Sequence, residues 1–484
     1  MTRKRHQRSR SLGGLLMFVI ISVIVFFGIQ FFTKTGIFKV PGVVYYDDSL
    51  NADELAILNN IFTEDVELDK DVKISAREES VLPELSEGEF VYEIMVPVGD
   101  FYDSRSEISE FSEDEIEYIP IEELDFTKKL LAVGDNYYLD DFNSGAKFKI
   151  ITFESENYIE EIQPLVYETF HKVFPRKNTT LTFAQTGVTA LSRDMNTKLA
   201  TVGDATYFAE KIGDFLSGFD LTHTSNESSF TNYATSQNIC SNPDFIGTLT
   251  SIGLDIVELT GNHNQDCGDE AAIATIDIYD EYNIRIVGGG KTAEAAAEPL
   301  EINEKNNHIT FLAYNLSTGG ATYDNTPGAN QYYEETAVSD ITAAKERGDF
   351  VIVDIQYYEC SAYDDTAENT TCDYANSSAG DQISLFRHLI DLGADMVVGT
   401  SAHQPQTFEL YGDGVIYYGL GNLFFDQVWW PGTTRSLILG HYFYNGKLLQ
   451  TKISPTIYDN SMQTMLMDKD DTEWFINRLV NARP

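Results

Sequence analysis

Basic residues are scarce in this 484-residue chain: 33 Lys and Arg stand against 76 Asp and Glu, a formal net charge of −43. A surface so acidic repels phosphate backbones, which excludes DNA and RNA as partners. Five of the basic residues (Arg3, Lys4, Arg5, Arg8, Arg10) fall within the first ten positions, so the remainder is more acidic still. Cysteine is rare too. The four present, Cys240, Cys267, Cys360 and Cys372, have no CxxC spacing, which argues against a structural zinc site; their even number suits two disulfides in an exported protein. Cys360 with Cys372 would close a short polar loop, and Cys240 with Cys267 would tie an upstream loop to the turn that carries His263. No GxGxxG follows a strand, so Gly288-Gly289-Gly290 reads as a tight turn and not as a dinucleotide site. Ser401 lies in GTSAH, without the GxSxG elbow of a hydrolytic serine.

What the chain does have is one uncharged run, residues 13–32, of the length that spans a bilayer. The basic cluster precedes it, so the positive-inside rule predicts a cytoplasmic tail (1–12), a single-pass anchor and an extracellular main body. A cleaved signal peptide would have a shorter apolar core and a small-residue cleavage site, and FFTKTGIF follows instead. Residues 33–177 read as a small acidic α+β accessory domain, with strands near 90–98, 129–133 and 147–153. Its many carboxylates between Glu107 and Glu123 have no histidine among them and read as a solvated face. Residues 178–460 alternate strands with helices, as expected for a layered α/β domain, and 461–484 form a helical tail. A helix is expected from Tyr207 to Leu216.

Within that alternation, the apolar strand Asp255–Leu259 runs into Gly261-Asn262-His263, followed by helical spacing from Ala272 to Tyr279. Such a turn places Asn262 and His263 at the carboxyl edge of a sheet, where open α/β folds bind ligands. Asn oxygen and imidazole nitrogen suit Mn, Zn or Fe, and imidazole can also steady a developing phosphate charge. The plain alternative is a turn with Asn262 in a left-handed conformation and His263 merely satisfied.

Four stretches, taken in order, are similar to the bacterial CapA or poly-γ-glutamate capsule-synthesis family. They are residues 262–268 (NHNQDCG), Thr275 with 286–290 (IVGGG), 389–399 (LIDLGADMVVG) with His403, and 419–427 (GLGNLFFDQ). The resemblance covers roughly residues 180–455. It implies a calcineurin-like metallophosphoesterase sandwich, a role in making, exporting or anchoring an anionic surface polymer, and polymer-synthesis subunits as partners. It also implies a metal site, and here this sequence departs from the pattern. Val188 stands where the family has the Asp of Gly-Asp, Gln356 where it has the His of HWG, and Ser401-Ala402-His403 where it has HPH. Glu227, Asn262, His263, Asp266 and His403 remain. The expectation is therefore a degenerate centre that holds one divalent metal through Glu227, Asn262, His403 and Gln356, or none at all. His263 and Asp266 are the catalytic candidates should the chain be a working phosphoesterase, and Arg193, Asn422 and Asp426 the ligand-binding ones. Asp426 either orients a histidine or caps its turn. Tyr357, Tyr358, Trp429 and Trp430 either line a groove for an extended polymer or pack in the core or at a rim. A polymer-binding protein, a metal-dependent hydrolase and a non-catalytic envelope scaffold remain the three functional readings.

Overall fold

The computed structural model describes residues 43–61, 71–111, 116–154, 172–317, 319–357 and 382–484. The expected anchor, Cys360, Cys372 and Tyr358 lie outside them. Among the described residues no helix is long and apolar enough to cross a membrane.

The described residues form two compact units, one from those up to Met95 and those of 146–173, the other from those of 96–145 and 174–484. In the first, Val72–Glu79 pairs antiparallel with Lys147–Glu154, which pairs in turn with the first part of Glu89–Asp100. The helix Ala52–Ile61 buries Leu58 in a small core with Val72, Ile74 and Ile151. The stretch expected as one accessory domain is thus divided. Residues 96–145 belong with the second unit, where Gln450 Oε1 accepts the Leu130 amide at 2.5 Å and Tyr102 Oη accepts the Leu410 amide at 2.9 Å.

The second unit is a four-layer sandwich. One sheet runs Arg285–Val287, Ile256–Glu258, Leu221–Asn226, Leu181–Thr189, Arg435–Tyr444, Lys447–Ile457, Met465–Leu466. Its first four strands are parallel and the rest antiparallel. The other sheet is built around the parallel strands Asn307–Asn315, Phe350–Gln356, Met396–Gly399 and Gly414–Tyr417. Phe183, Leu221, Ile256, Phe311, Ile352 and Val398 form one core between the two sheets. Helices Asp194–Val202, Ile246–Ser251 and Asp269–Glu281 cover the outer face of the first sheet, and Glu334–Glu346 with Gln382–Asp391 that of the second. Central strands buried on both faces lose their alternation and read as near-continuous apolar runs, as in Phe350–Gln356.

Two expectations change. The helix predicted over 207–216 is broken into the 3₁₀ turn Ala205–Ala209 and the short helix Gly213–Leu216. Gly213 lies so close to a neighbouring segment that a Cβ there would stand 2.9 Å from the Ser251 carbonyl oxygen. The carboxyl-terminal helix, Lys469–Asn481, is no free tail: Phe475, Ile476, Leu479 and Val480 join the core between the sheets.

Cys240 and Cys267 are disulfide-bonded across a sequence separation of 27, the pairing that ties the upstream loop to the His263 turn. Closing a loop of that length restricts the unfolded chain by about 3–4 kcal/mol. A Cys240→Ala, Cys267→Ala chain should therefore unfold at a urea midpoint well below that of the parent. Equal midpoints would show that the crosslink contributes nothing.

Candidate functional site

The parallel strands of both sheets end at one edge, and their last residues and the loops that follow carry Arg193, Glu227, Asn262, His263, Asp266, Gln356 and His403. Inward-facing side chains along these strands change from apolar to polar as the edge is approached. Along Leu221–Asn226 and onward the same face carries Leu221, His223, Ser225 and Glu227, all buried; along Phe350–Gln356 it carries Ile352, Asp354 and Gln356. Gly187 sits where a Cβ would stand 2.0 Å from the Gly421 carbonyl oxygen, so only glycine lets these backbones meet. Gly261 is equally confined, its would-be Cβ 2.7 Å from Glu227 Cα. From the other sheet, Gly319 and Gly320 close on the same turn, 2.8 Å from the Asn262 oxygen and 2.6 Å from the Gly261 oxygen by the same measure.

Glu227, Asn262 and Gln356 come together as one polar cluster. The Gln356 amide Nε2 donates to Asn262 Oδ1 at 3.0 Å and reaches Glu227 Oε1 at 3.4 Å. Three further pairs lie on segments that leave the same strand ends. His403 Nδ1 lies 2.9 Å from Asn422 Oδ1, while the Asn422 amide donates to the Thr433 carbonyl at 3.0 Å. Arg193 forms an ion pair with the buried Asp426, whose other oxygen accepts the Asp194 amide at 3.2 Å. Asp426 therefore holds an arginine and not a histidine. His263 Nδ1 lies 2.8 Å from Asp266 Oδ2, with both side chains partly exposed, so Asp266 fixes the ring of its neighbour. The Arg193 guanidinium covers the Phe425 ring at 4.5 Å and approaches Trp429 at 5.9 Å. Trp429 is 52% exposed and Trp430 43%, whereas Tyr357 is buried against Phe386. Of the four aromatic candidates, then, the two tryptophans are at the rim and Tyr357 is core.

This donor set does not fit a two-metal centre. Such a centre needs several anionic oxygens and imidazoles converging on each ion, with a carboxylate between them. Here the cluster has one carboxylate, and an amide N–H points at the two oxygens a cation would take. Among the described residues, no group of three or more His, Cys, Asp or Glu side chains is arranged to hold a metal.

Beneath the cleft lies a second polar group that composition and motif did not reveal. Asp354 Oδ1 accepts from Gln185 Nε2 at 2.6 Å, and Oδ2 stands 3.2 Å from His223 Nε2, all three side chains being fully buried. Glu258, also buried, accepts the Thr260 amide at 2.5 Å. Burial first, and the Asp354 charge second, push its carboxyl up to about 7. In the fold, His223 and Ser225 on one strand, with Glu227 just beyond it, face Asp354 and Gln356 on the other sheet.

A four-layer α/β sandwich with a polar cleft at the shared carboxyl edge of its strands defines the class of protein. The model of the bacterial capsule synthesis protein family PGA_cap matches residues 180–427, just over half of the chain, and the chain belongs to that family. It is 27% identical over 209 residues to the PGA biosynthesis protein CapA of Bacillus subtilis, covering 42% of this chain and 51% of that one. Against the capsule biosynthesis protein CapA of Bacillus anthracis it is 24% identical over 233 residues, 46% and 54% of the two chains. A probable polyglutamine synthesis accessory protein of Mycobacterium tuberculosis matches at 24% over 257 residues, 49% and 64%. The matched region thus spans between about half and just under two thirds of these curated relatives.

Proposed function

We propose that this chain is an exported, membrane-anchored accessory protein of surface-polymer synthesis, built on a calcineurin-like metallophosphoesterase sandwich, whose cleft binds polymer or a synthesis subunit without hydrolysing it. The observation that carries this reading is the Gln356 amide directed at Glu227 and Asn262. An uncharged donor takes the part of a cation, which leaves a surface that recognises polar groups and lacks the charge to activate water. Two exposed tryptophans beside Arg193 supply stacking faces at the rim, suited to an extended chain. The Cys240–Cys267 disulfide accords with folding in an oxidising compartment. The names of the relatives support capsule or polyglutamate synthesis as the process.

Elemental analysis of the purified full chain tests the reading. Mn, Zn and Fe should be far below one equivalent, and His403→Ala should leave them unchanged. Gln356→Glu, which adds a second carboxylate beside Glu227, should raise Mn uptake. A stoichiometric metal in the parent chain, lost in His403→Ala together with phosphodiester hydrolysis, would establish the hydrolase instead.

A further inference from the structure

Away from the cleft, a cavity of about 350 Å³ lies in the second unit, and none of its lining residues belongs to the cleft. One wall comes from residues 101–140, another from the strand Lys447–Ile457, and a third from the helix Lys469–Asn481. Phe101, Phe408, Tyr417, Met467 and Ile476 give it an apolar floor. Its volume lies in the range of small-molecule sites, about 300–1,000 Å³.

The charges around it are unevenly satisfied. Asp103 is held by Arg105 at 2.6 Å, Asp140 by Lys452 at 2.6 Å and Glu107 by Lys469 at 2.5 Å. Lys129, which also lines the cavity, is different: its Nζ donates to the Asp103 backbone carbonyl, and no carboxylate of the described residues lies within ion-pair distance. In a chain with more than two acids for every base, such an amine is conspicuous. Burial pulls its pKa down to about 8; the more distant charges of Asp103 and Glu473 oppose that shift and Arg105 adds to it. The ammonium is thus partly withdrawn from water with no carboxylate beside it, a setting that favours a charge-assisted hydrogen bond to an incoming anion.

We propose that this cavity is a binding site for a small organic monocarboxylate with an apolar body, its carboxylate paired with Lys129 and its body against the aromatic floor. A phosphate dianion is a poorer fit, because only one amine lacks an acid partner and Asp103, Asp135 and Asp140 stand in the same lining. The site is independent of what the cleft binds.

Calorimetry on the detergent-solubilised full chain, blanked against empty micelles, tests this with 4-phenylbutyrate, 4-phenylbutanol and 4-phenylbutylamine. The carboxylate should bind at least about tenfold more tightly than the alcohol, and the amine least. Lys129→Met should remove that preference and leave the alcohol unaffected, whereas Lys129→Arg should keep it. In the parent chain, raising the pH through 8 should weaken carboxylate binding alone, which tests the site even if Lys129→Met fails to fold. Equal binding of the three probes, no binding at all, or a carboxylate preference that survives in a folded Lys129→Met chain would overturn the proposal.

Discussion

Replacing Asp354 with alanine is expected to lower the stability of the second unit by about 3–5 kcal/mol, a large part of the roughly 5–15 kcal/mol that holds a domain together. The carboxylate lies in the layer between the two sheets with no solvent exposure, faced by His223 at 3.2 Å and by the Gln185 amide at 2.6 Å. Removing it leaves two buried polar side chains without their partner and opens a void between strands. The cost comes from what is stranded, so Asp354→Leu combined with His223→Phe and Gln185→Leu should recover most of the loss. Urea unfolding followed by far-ultraviolet circular dichroism measures both. A loss below about 1 kcal/mol for the single change would mean that the interior tolerates an unpaired His223.

Glu258 should make stability fall as the pH rises. Its carboxyl, near 4.5 in an unfolded chain, is pushed up to about 7 in the folded one. Between those values the native state keeps a proton that the unfolded chain has released, so its contribution is complete below pH 4.5 and lost by pH 7. The size is on the order of 3 kcal/mol. The large acidic excess also weakens the fold as carboxylates ionise, so the informative quantity is the difference between the parent and Glu258→Gln. That variant should gain on the parent from about pH 5 to pH 7, level off above that, and be the more stable of the two at the upper end. Parallel curves for the two proteins would show that Glu258 does not titrate in this range.

Much of the layered domain is legible in the sequence, because apolar strand runs and helical spacings alternate through 180–430. Glu227, Asn262 and Gln356, which meet at the strand ends, are among the residues the sequence singles out, because each ends or follows a strand. The interior polar layer was harder. On a strand buried on both faces no alternation announces which side a polar residue takes, so Asp354 acquires meaning only once His223 and Gln185 are seen opposite it. The helix Glu334–Glu346 went unread because alanines do much of its packing, at Ala337 and Ala344 around Ile341. The break at Gly213 and the allegiance of residues 96–145 both depend on partners far along the chain, which local pattern does not encode.

The glycine contacts at the mouth of the cleft have a kinetic consequence. With Gly319 and Gly320 seated on the backbone of Gly261 and Asn262, the loops of opposite sheets are latched together by bare main chain, with no side chain between them to rearrange. Amide exchange in the two loops should therefore slow or quicken in step, as if one hinge pin governed both.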